Sequence, residues 1–324
     1  MAKLAGFLRA AVFASPLIVA TASSAQPAQT PQTTPPKPVE TVTVIGQRQV
    51  DEQFKAVIAQ FVEQHAALDR KSGLLVRDGP KGICPITLGL PAAYNDFVTA
   101  RIVSVAKSVG TVVQDAATCR ANVEMLFTDD PQDVINNLAE KTNGEILGPH
   151  YVHETRALKH VWRPIQAWYV TGTRNDPNAH GAVITPDGSQ KTASGHLGID
   201  HAYGASPYTG TGSHIRPRNS SQIGNTLILA DMNKIAGHEI GPISDYIAMM
   251  ALSQAQSLDD CNEMPSILDL MSSGCPAREK PQSITPSDMA YLKALYAADI
   301  TTSAFTARDN VANGMTTNLT TPKP

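Results

Sequence analysis

The sequence carries little charge. Lys, Arg, Asp and Glu make up 17% of its 324 residues, and the formal net charge is -3, whereas soluble domains usually contain roughly 25% charged residues. A chain so close to neutrality creates no field that would attract nucleic acid or a strongly acidic partner. The composition therefore predicts a protein that does not bind nucleic acid.

Long apolar runs are also missing, apart from a short one near the N-terminus. A basic start, Met1–Arg9, precedes an apolar run from Val12 to Ala20 and the small residues Ser23–Ala25. This order is typical of a secretory signal peptide. The run is too short for a membrane anchor, and Pro16 interrupts it. We predict cleavage after Ala25, a periplasmic or secreted mature protein, and no transmembrane span in the mature chain.

Common catalytic motifs are absent. The sequence contains no G-x-S-x-G elbow, no S-x-x-K set with its companion motifs and no Walker-type phosphate loop. A zinc motif H-E-x-x-H would need a second histidine four residues after His238 or His153, but Pro242 and Ala157 occupy those positions. The remaining histidines show no metal-ligand spacing, so the sequence predicts no metal and no cofactor. Convergence of these histidines in the folded chain is the alternative.

Cysteines are few but even in number. Cys84, Cys119, Cys261 and Cys275 follow an export signal, which favours disulfides because an oxidising compartment preserves them. Four cysteines allow three pairings, and sequence alone does not choose among them. We favour Cys84 with Cys119 and Cys261 with Cys275, because each pair brackets a local unit.

The segment after the predicted signal peptide, residues 26–50, is predicted to be a disordered linker. Residues 26–38 are rich in Pro, Gln and Thr and have nothing to bury. The stretch Val39–Gly46, V-E-T-V-T-V-I-G, looks like a segment near the N-terminus of TonB-dependent outer-membrane receptors, which contacts an inner-membrane energy transducer. That resemblance implies an envelope protein partner, bound by strand addition through residues 39–46. A β-prone tail or edge strand is the simpler interpretation.

Residues 51–305 predict one globular domain of the α/β or α+β class, with a mixed sheet and packed helices. Apolar residues recur with helical spacing from Asp51 onward. A helix over Ala92–Lys107 should place Phe97, Ile102 and Val105 inward. Other predicted elements are strands over residues 122–128 and 163–172, a helix over 131–141 and a strand over 181–185.

Two further segments of this part of the chain predict irregular structure. Residues 204–224 are rich in Gly, Ser, Thr and Pro, which favours a long polar loop of the kind that often lines a binding site. After Tyr296 the apolar pattern fades, so residues 306–324 are predicted to be a flexible tail.

The last third of the domain has the strongest local signals. Thr226–Asp231 predicts a buried strand. A helix should begin near Pro242, because proline suits the first helical position. Pro265–Asp269 reads as a turn, and Thr285 with Asp288 predicts a capping box at the start of another helix. The inward positions of the first helix are Ile243, Tyr246, Ile247 and Met250.

This order of strand, apolar core helix, S-I-x-D turn and capped helix ending in L-Y resembles the C-terminal half of the metzincin zinc peptidases. In that family the core helix carries zinc-binding histidines, and a methionine turn lies beneath the zinc, where Leu268 stands here. The resemblance implies a metzincin-like C-terminal part over residues 226–298. Segments Asp245–Met249 and Asp288–Tyr296 are also similar to uncharacterised secreted proteobacterial proteins.

The expected function follows from the inward residues of the core helix, which can pack but cannot bind zinc. The sequence favours an exported, disulfide-stabilised pseudoenzyme with a degenerate, zinc-free peptidase-like core, acting as a non-catalytic binding or envelope protein. The alternative is a hydrolase with a non-standard site near His238, Glu239 and Asp245, completed by the loop 204–224.

Overall fold

The computed structural model describes residues 47–69, 73–77, 82–142, 144–148, 156–175, 219–255, 257–277, 280–299 and 302–321. The chain divides into two units, Met1–Val44 and Ile45–Pro324, and the described residues all belong to the second. The predicted signal peptide, the segment 39–46 and the predicted strand 181–185 lie outside the described residues.

A mixed sheet forms the centre of the described domain. Its strands are β3 (Val76–Arg77), β4 (Pro85–Leu88), β5 (Val123–Thr128), β6 (Ile165–Asn175) and β7 (Asn219–Asp231), and a separate ribbon pairs β1 (Leu68–Asp69) with β2 (Gly73–Leu74). Strand β7 pairs in parallel with β3 and β5 and antiparallel with β6, and β4 pairs in parallel with β5. The fold is therefore mixed α/β, as predicted.

Helices cover both faces of this sheet. They are α1 (Gln47–His65), α2 (Ala92–Ser108), α3 (Pro131–Lys141), the short α4 (Met232–Ile235), α5 (Ile240–Leu252), α6 (Pro286–Ala297) and α7 (Ala304–Thr320), with 3-10 helices at Glu145–Leu147 and Ile267–Met271. None of these described helices combines the length and apolar character needed to cross a membrane.

Alternation along the strands divides the interior into two apolar clusters. Val123, Met125 and Phe127 of β5 point to one face and belong to the larger cluster, which includes residues of α1, α2, α5, α6 and α7. Leu227 and Leu229 of β7 point to the other face and join a smaller cluster with α3. Successive side chains of a strand point to opposite faces, so one strand can serve both clusters.

Helix α1 follows the predicted apolar spacing. Ile58, Phe61 and Val62 are buried, and Phe54 packs against the same cluster. The helix begins at Gln47, so the prediction that the linker extends to residue 50 is wrong for its last four residues.

Helix α2 has the predicted extent, but its inward face differs by one residue. Phe97 is 47% exposed, and Val98 is buried in its place, in line with Ile102 and Val105. The buried positions 98, 102 and 105 repeat at i, i+4 and i+7. The helix ends at Ser108, and Gly110, with φ +83°, follows it.

The predicted flexible tail is wrong up to residue 320. Ser303 caps α7 by accepting a hydrogen bond from the Thr306 amide at 3.2 Å. Ala307, Val311 and Met315, one residue per turn, are buried in the main cluster. Gly314 lies so close to α6 that a Cβ atom there would stand 3.1 Å from the Ala294 Cβ.

Strand β7 begins earlier than predicted. Residues 219–224, assigned to the polar loop, belong to β7, so the loop prediction is wrong for them, and residues 204–218 lie outside the described residues. The pairing shifts register where Val170 faces Asn225 and Thr171 faces Ile223, which leaves Gly224 as the extra residue of a β-bulge.

Both predicted disulfides are present. Cys84 is bonded to Cys119, and Cys261 to Cys275, so no cysteine is free. The first bond joins the residue before β4 to the segment that leads into β5. The second closes the segment that contains the 3-10 helix after α5.

Candidate functional site

Helix α5 occupies the position where the resemblance to the zinc peptidases would place metal ligands. The predicted inward residues Ile243, Tyr246, Ile247 and Met250 are buried, and so is every residue from Pro242 to Leu252. A helix that is apolar on all sides belongs inside a core. Zinc in proteins is bound by cysteine, histidine and carboxylate side chains, and Asp245 is the only such residue on α5.

Both carboxylate oxygens of Asp245 are occupied. Oδ1 accepts a hydrogen bond from Arg101 Nε, and Oδ2 accepts from Arg101 Nη2 at 2.9 Å and from the Ile284 amide at 2.8 Å. Fork-shaped pairing of arginine with a carboxylate is a strong and directional contact. Asp245 therefore joins α5 to α2 and to the segment that precedes α6, which is a structural role.

The other two candidate residues do not take part in this ion pair. His238 and Glu239 are exposed in the turn between α4 and α5, and Glu239 occupies the N-cap position of α5 without a capping side-chain hydrogen bond. Within the described residues, no hydrogen bond or ion pair connects either side chain to Asp245. A shared site formed by the three candidate residues therefore stays a prediction.

The C-terminal end of α5 is held by a buried arginine that the sequence analysis did not identify. Arg77 is 2% exposed. Its Nε donates to the Ala251 carbonyl at 3.0 Å, and its other nitrogens donate to carbonyls of Asn122 and Gly224 and to the Thr226 hydroxyl. A cation is favourable beside the negative end of a helix dipole.

Two tyrosines complete the same helix end. The Tyr169 hydroxyl donates to the carbonyl of Met250 at 2.9 Å and to that of Ser253 at 3.2 Å, while the Tyr296 hydroxyl donates to the Leu252 carbonyl at 2.9 Å. The last carbonyls of a helix have no partner within the helix. Burial raises the pKa of Tyr169 and of Tyr296, so both hydroxyls stay protonated and act as donors.

Buried aspartates stabilise the S-I-x-D turn. Asp288, in the predicted capping box with Thr285, also accepts hydrogen bonds from the Ser266 hydroxyl at 2.7 Å and the Ile267 amide at 2.8 Å. Burial raises the pKa of Asp288, and these hydrogen bonds act in the opposite direction. Asp269 accepts from the Ser266 amide at 3.1 Å. These carboxylates cap helices and anchor the turn.

One group of possible metal ligands occurs among the described residues. Cys261, Asp269 and Cys275 have ligand atoms within 4.8 Å of one another. The two sulfurs are bonded to each other, so they are not thiolates and the group does not form a zinc site as it stands.

A buried histidine leads to a prediction about acid stability. His65 is stacked on Phe61, its Nδ1 donates to the Phe61 carbonyl at 2.7 Å, and its Nε2 is buried without a partner. Burial lowers the pKa of His65 from the ordinary 6.5 to about 4. Above pH 6.5 neither folded nor unfolded protein binds this proton. Between pH 6.5 and about 4 only the unfolded chain binds it, so stability falls as pH falls.

The difference between the two pKa values corresponds to a loss of about 3 kcal/mol across this range. We expect wild type to lose about that much more unfolding free energy than His65→Gln between pH 7 and pH 4, as measured by urea unfolding at several pH values. Carboxylates that titrate in both proteins cancel in the comparison. Parallel stability curves for the two proteins would show that His65 is not responsible.

A cavity of about 160 Å³ lies on the sheet face covered by α3. Hydrocarbon from Leu138, Ile146 and Leu227 forms part of its wall, and Glu124, Lys141 and Asn225 bring polar groups to it. The remaining lining residues are Asn122, Thr142 and Thr226. Sites for small molecules are commonly apolar concavities with a few placed polar groups, so this cavity is the candidate binding site.

Local structure explains why these side chains meet. Asp130 caps α3 by accepting from the Asp133 amide at 3.0 Å. Leu138, Lys141 and Thr142, three and four residues apart, then share one helix face. Across the cavity Glu124 is paired in register with Leu227. The bulge at Gly224 lies just before Asn225, and such bulges often re-aim a side chain beside a site.

The polar lining residues differ in their hydrogen bonding. The Asn122 amide donates to the Gly82 carbonyl at 3.0 Å and accepts from the Cys84 amide at 2.8 Å, and Thr142 donates to the Leu138 carbonyl at 2.8 Å. By contrast, the side chains of Glu124, Lys141 and Asn225 have no hydrogen bond or ion pair with another described residue.

Comparison with protein families, characterised proteins and solved structures finds no match for this chain. The assignment of a function therefore depends on the chemistry of the sites described above. Glu124 is the most informative of these groups, because burial raises the pKa of its carboxyl while the nearby Arg120 lowers it.

Proposed function

We propose that this chain is an exported, disulfide-stabilised, non-catalytic binding protein with a degenerate, zinc-free metzincin-like core. The cavity beneath α3 is the proposed binding site. The proposal takes up the resemblance stated from the sequence, whose elements are β7, α5, the 3-10 helix at Ile267–Met271 and the capped α6. The two disulfides are compatible with an oxidising compartment.

The complete burial of α5 is the observation that carries the proposal. A catalytic zinc needs nitrogen, oxygen or sulfur ligands and an open coordination position that substrate or water can reach. From Pro242 to Leu252 the helix has no exposed residue. Its one carboxylate is fully used by Arg101 and the Ile284 amide. A core helix of this kind can support a binding protein but offers no place for peptidase chemistry.

A peptide-cleavage assay tests the absence of catalysis. The mature protein, produced with its disulfides intact, is incubated with a mixed peptide library, with and without added Zn²⁺, and products are identified by mass spectrometry. We expect no cleavage above a heat-denatured control. Cleavage that is lost in His238→Ala or Glu239→Gln would instead support a hydrolase with a non-standard site before α5.

A further inference from the structure

The cavity beneath α3 combines opposite charges with a hydrocarbon wall. Glu124 contributes a carboxylate, Lys141 an ammonium group and Asn225 an amide. Asn122 and Thr142 are satisfied within the protein, whereas these three side chains make no hydrogen bond with other described residues. The groups available to a ligand are therefore a negatively charged hydrogen-bond acceptor, Glu124, a positively charged donor, Lys141, and the amide of Asn225.

This set of groups favours a ligand that carries both charges. A cation alone would be attracted by Glu124 but repelled by Lys141 and the nearby Arg120, and an anion alone would be attracted by these cations but repelled by Glu124. Hydrogen bonds between charged groups are stronger than neutral ones, and Glu124 and Lys141 are both exposed, so a ligand can reach them. A zwitterion can satisfy both side chains at once.

The apolar wall specifies the rest of the ligand. Leu138, Ile146 and Leu227 offer only hydrocarbon, and Ile146 and Leu227 are buried. A cavity of about 150 Å³ is enough to hold a molecule of the size of benzene. The cavity here, about 160 Å³, can therefore hold a branched aliphatic side chain while the charged end of the molecule lies among the polar groups.

We propose that the cavity binds a small zwitterion of the α-amino acid class with an apolar side chain. Its ammonium group contacts Glu124, its carboxylate contacts Lys141 and the Asn225 amide, and its hydrocarbon packs on Leu138, Ile146 and Leu227. This assignment rests on the proposed binding function and adds the ligand class to it.

Titration calorimetry at pH 7 with three probes tests the ligand class. The probes are L-leucine, 3-methylbutylamine, which lacks the carboxylate, and 4-methylpentanoate, which lacks the amine. We expect L-leucine to bind, and each analogue to bind at least about tenfold more weakly, because each loses one charge-assisted hydrogen bond.

Variants of the two charged residues assign the contacts. Glu124→Gln and Lys141→Met should each weaken L-leucine binding about tenfold or more, and Glu124→Gln should reduce the advantage of L-leucine over 4-methylpentanoate. Glu140→Gln is the matched control, because Glu140 is an exposed neighbour of Lys141 on α3 and does not line the cavity. Its affinity should equal that of wild type, and circular dichroism checks that all variants fold.

Several outcomes would overturn the ligand class. They are no binding of any probe, equal binding of L-leucine and either analogue, or L-leucine affinity unchanged in both Glu124→Gln and Lys141→Met. These results would not affect the proposal that the protein is non-catalytic. That proposal would be contradicted by peptide cleavage or by a catalytic metal bound near one per chain.

Discussion

Replacing Arg77 with alanine should lower the free energy of unfolding by about 3–5 kcal/mol, because buried acceptors lose their charge-assisted hydrogen bonds and the truncation of a large buried side chain leaves a cavity. The guanidinium joins the end of α5 to β5 and β7 through the carbonyls of Ala251, Asn122 and Gly224. Its removal leaves these carbonyls and the Thr226 hydroxyl with fewer donors and also leaves a cavity in the core. Urea unfolding followed by circular dichroism measures the change.

Two further variants test whether the loss of stability is specific to the Arg77 guanidinium. Arg77→Lys keeps a positive charge but loses the fork of donors, so its stability should lie between wild type and Arg77→Ala. Arg156→Ala, at an exposed arginine, should change the unfolding free energy by less than about 0.5 kcal/mol. If Arg77→Ala and Arg156→Ala have equal effects, Arg77 does not hold the end of α5.

Removing the disulfide between Cys84 and Cys119 should cost about 4 kcal/mol, and removing that between Cys261 and Cys275 about 3 kcal/mol. In the chain-entropy model a disulfide stabilises by restricting the unfolded chain, and the restriction grows with the length of the closed loop. The paired cysteines are 35 residues apart in the first case and 14 in the second. Double alanine variants, studied by urea unfolding under oxidising conditions, measure both values.

Reduction provides the control for the disulfide variants. With excess dithiol reductant, wild type and both double variants should unfold at similar urea concentrations, because all then lack the covalent restriction. A cost below about 1 kcal/mol for both bonds under oxidising conditions would contradict the view that they stabilise this domain. A smaller cost for the longer loop would contradict the chain-entropy explanation.

Features that depend on neighbours in sequence were predicted well. The capping box of Thr285 and Asp288 is local, so its residue types specify the start of α6 directly. The same holds for α5, where Pro242 lies in the first turn and an apolar run follows. The disulfides were also predicted correctly, because each pair closes a segment that folds as one unit.

Features that depend on distant contacts were missed. Helix α7 buries only one apolar residue per turn, which is a weak hydrophobic pattern. Gly314 allows a close approach to Ala294, and no hydrophobic pattern indicates such a contact. Phe97 is a different kind of error, because helical spacing alone places Val98, and not Phe97, in line with Ile102 and Val105. Arg77 binds groups between 45 and 174 residues away in sequence.

The candidate cavity had one signal in the sequence. Glu124 is the one charged residue of the strand V-E-M-L-F-T, where it stands between the buried Val123 and Met125. The other polar groups of the cavity come from the end of α3 and from a bulge in β7. The bulge occurs within a segment that composition alone assigned to a loop, so its position required the paired strands.

The metal content of the mature protein is the measurement that tests the central claim most directly. The protein is expressed with its predicted export signal and purified with its disulfides intact and without a histidine tag, and its metals are quantified by mass spectrometry. Because every residue of α5 from Pro242 to Leu252 is buried and its only carboxylate is engaged, we expect far less than one zinc per chain. Zinc bound near one per chain would contradict the proposed zinc-free core and would support the alternative of a metallopeptidase.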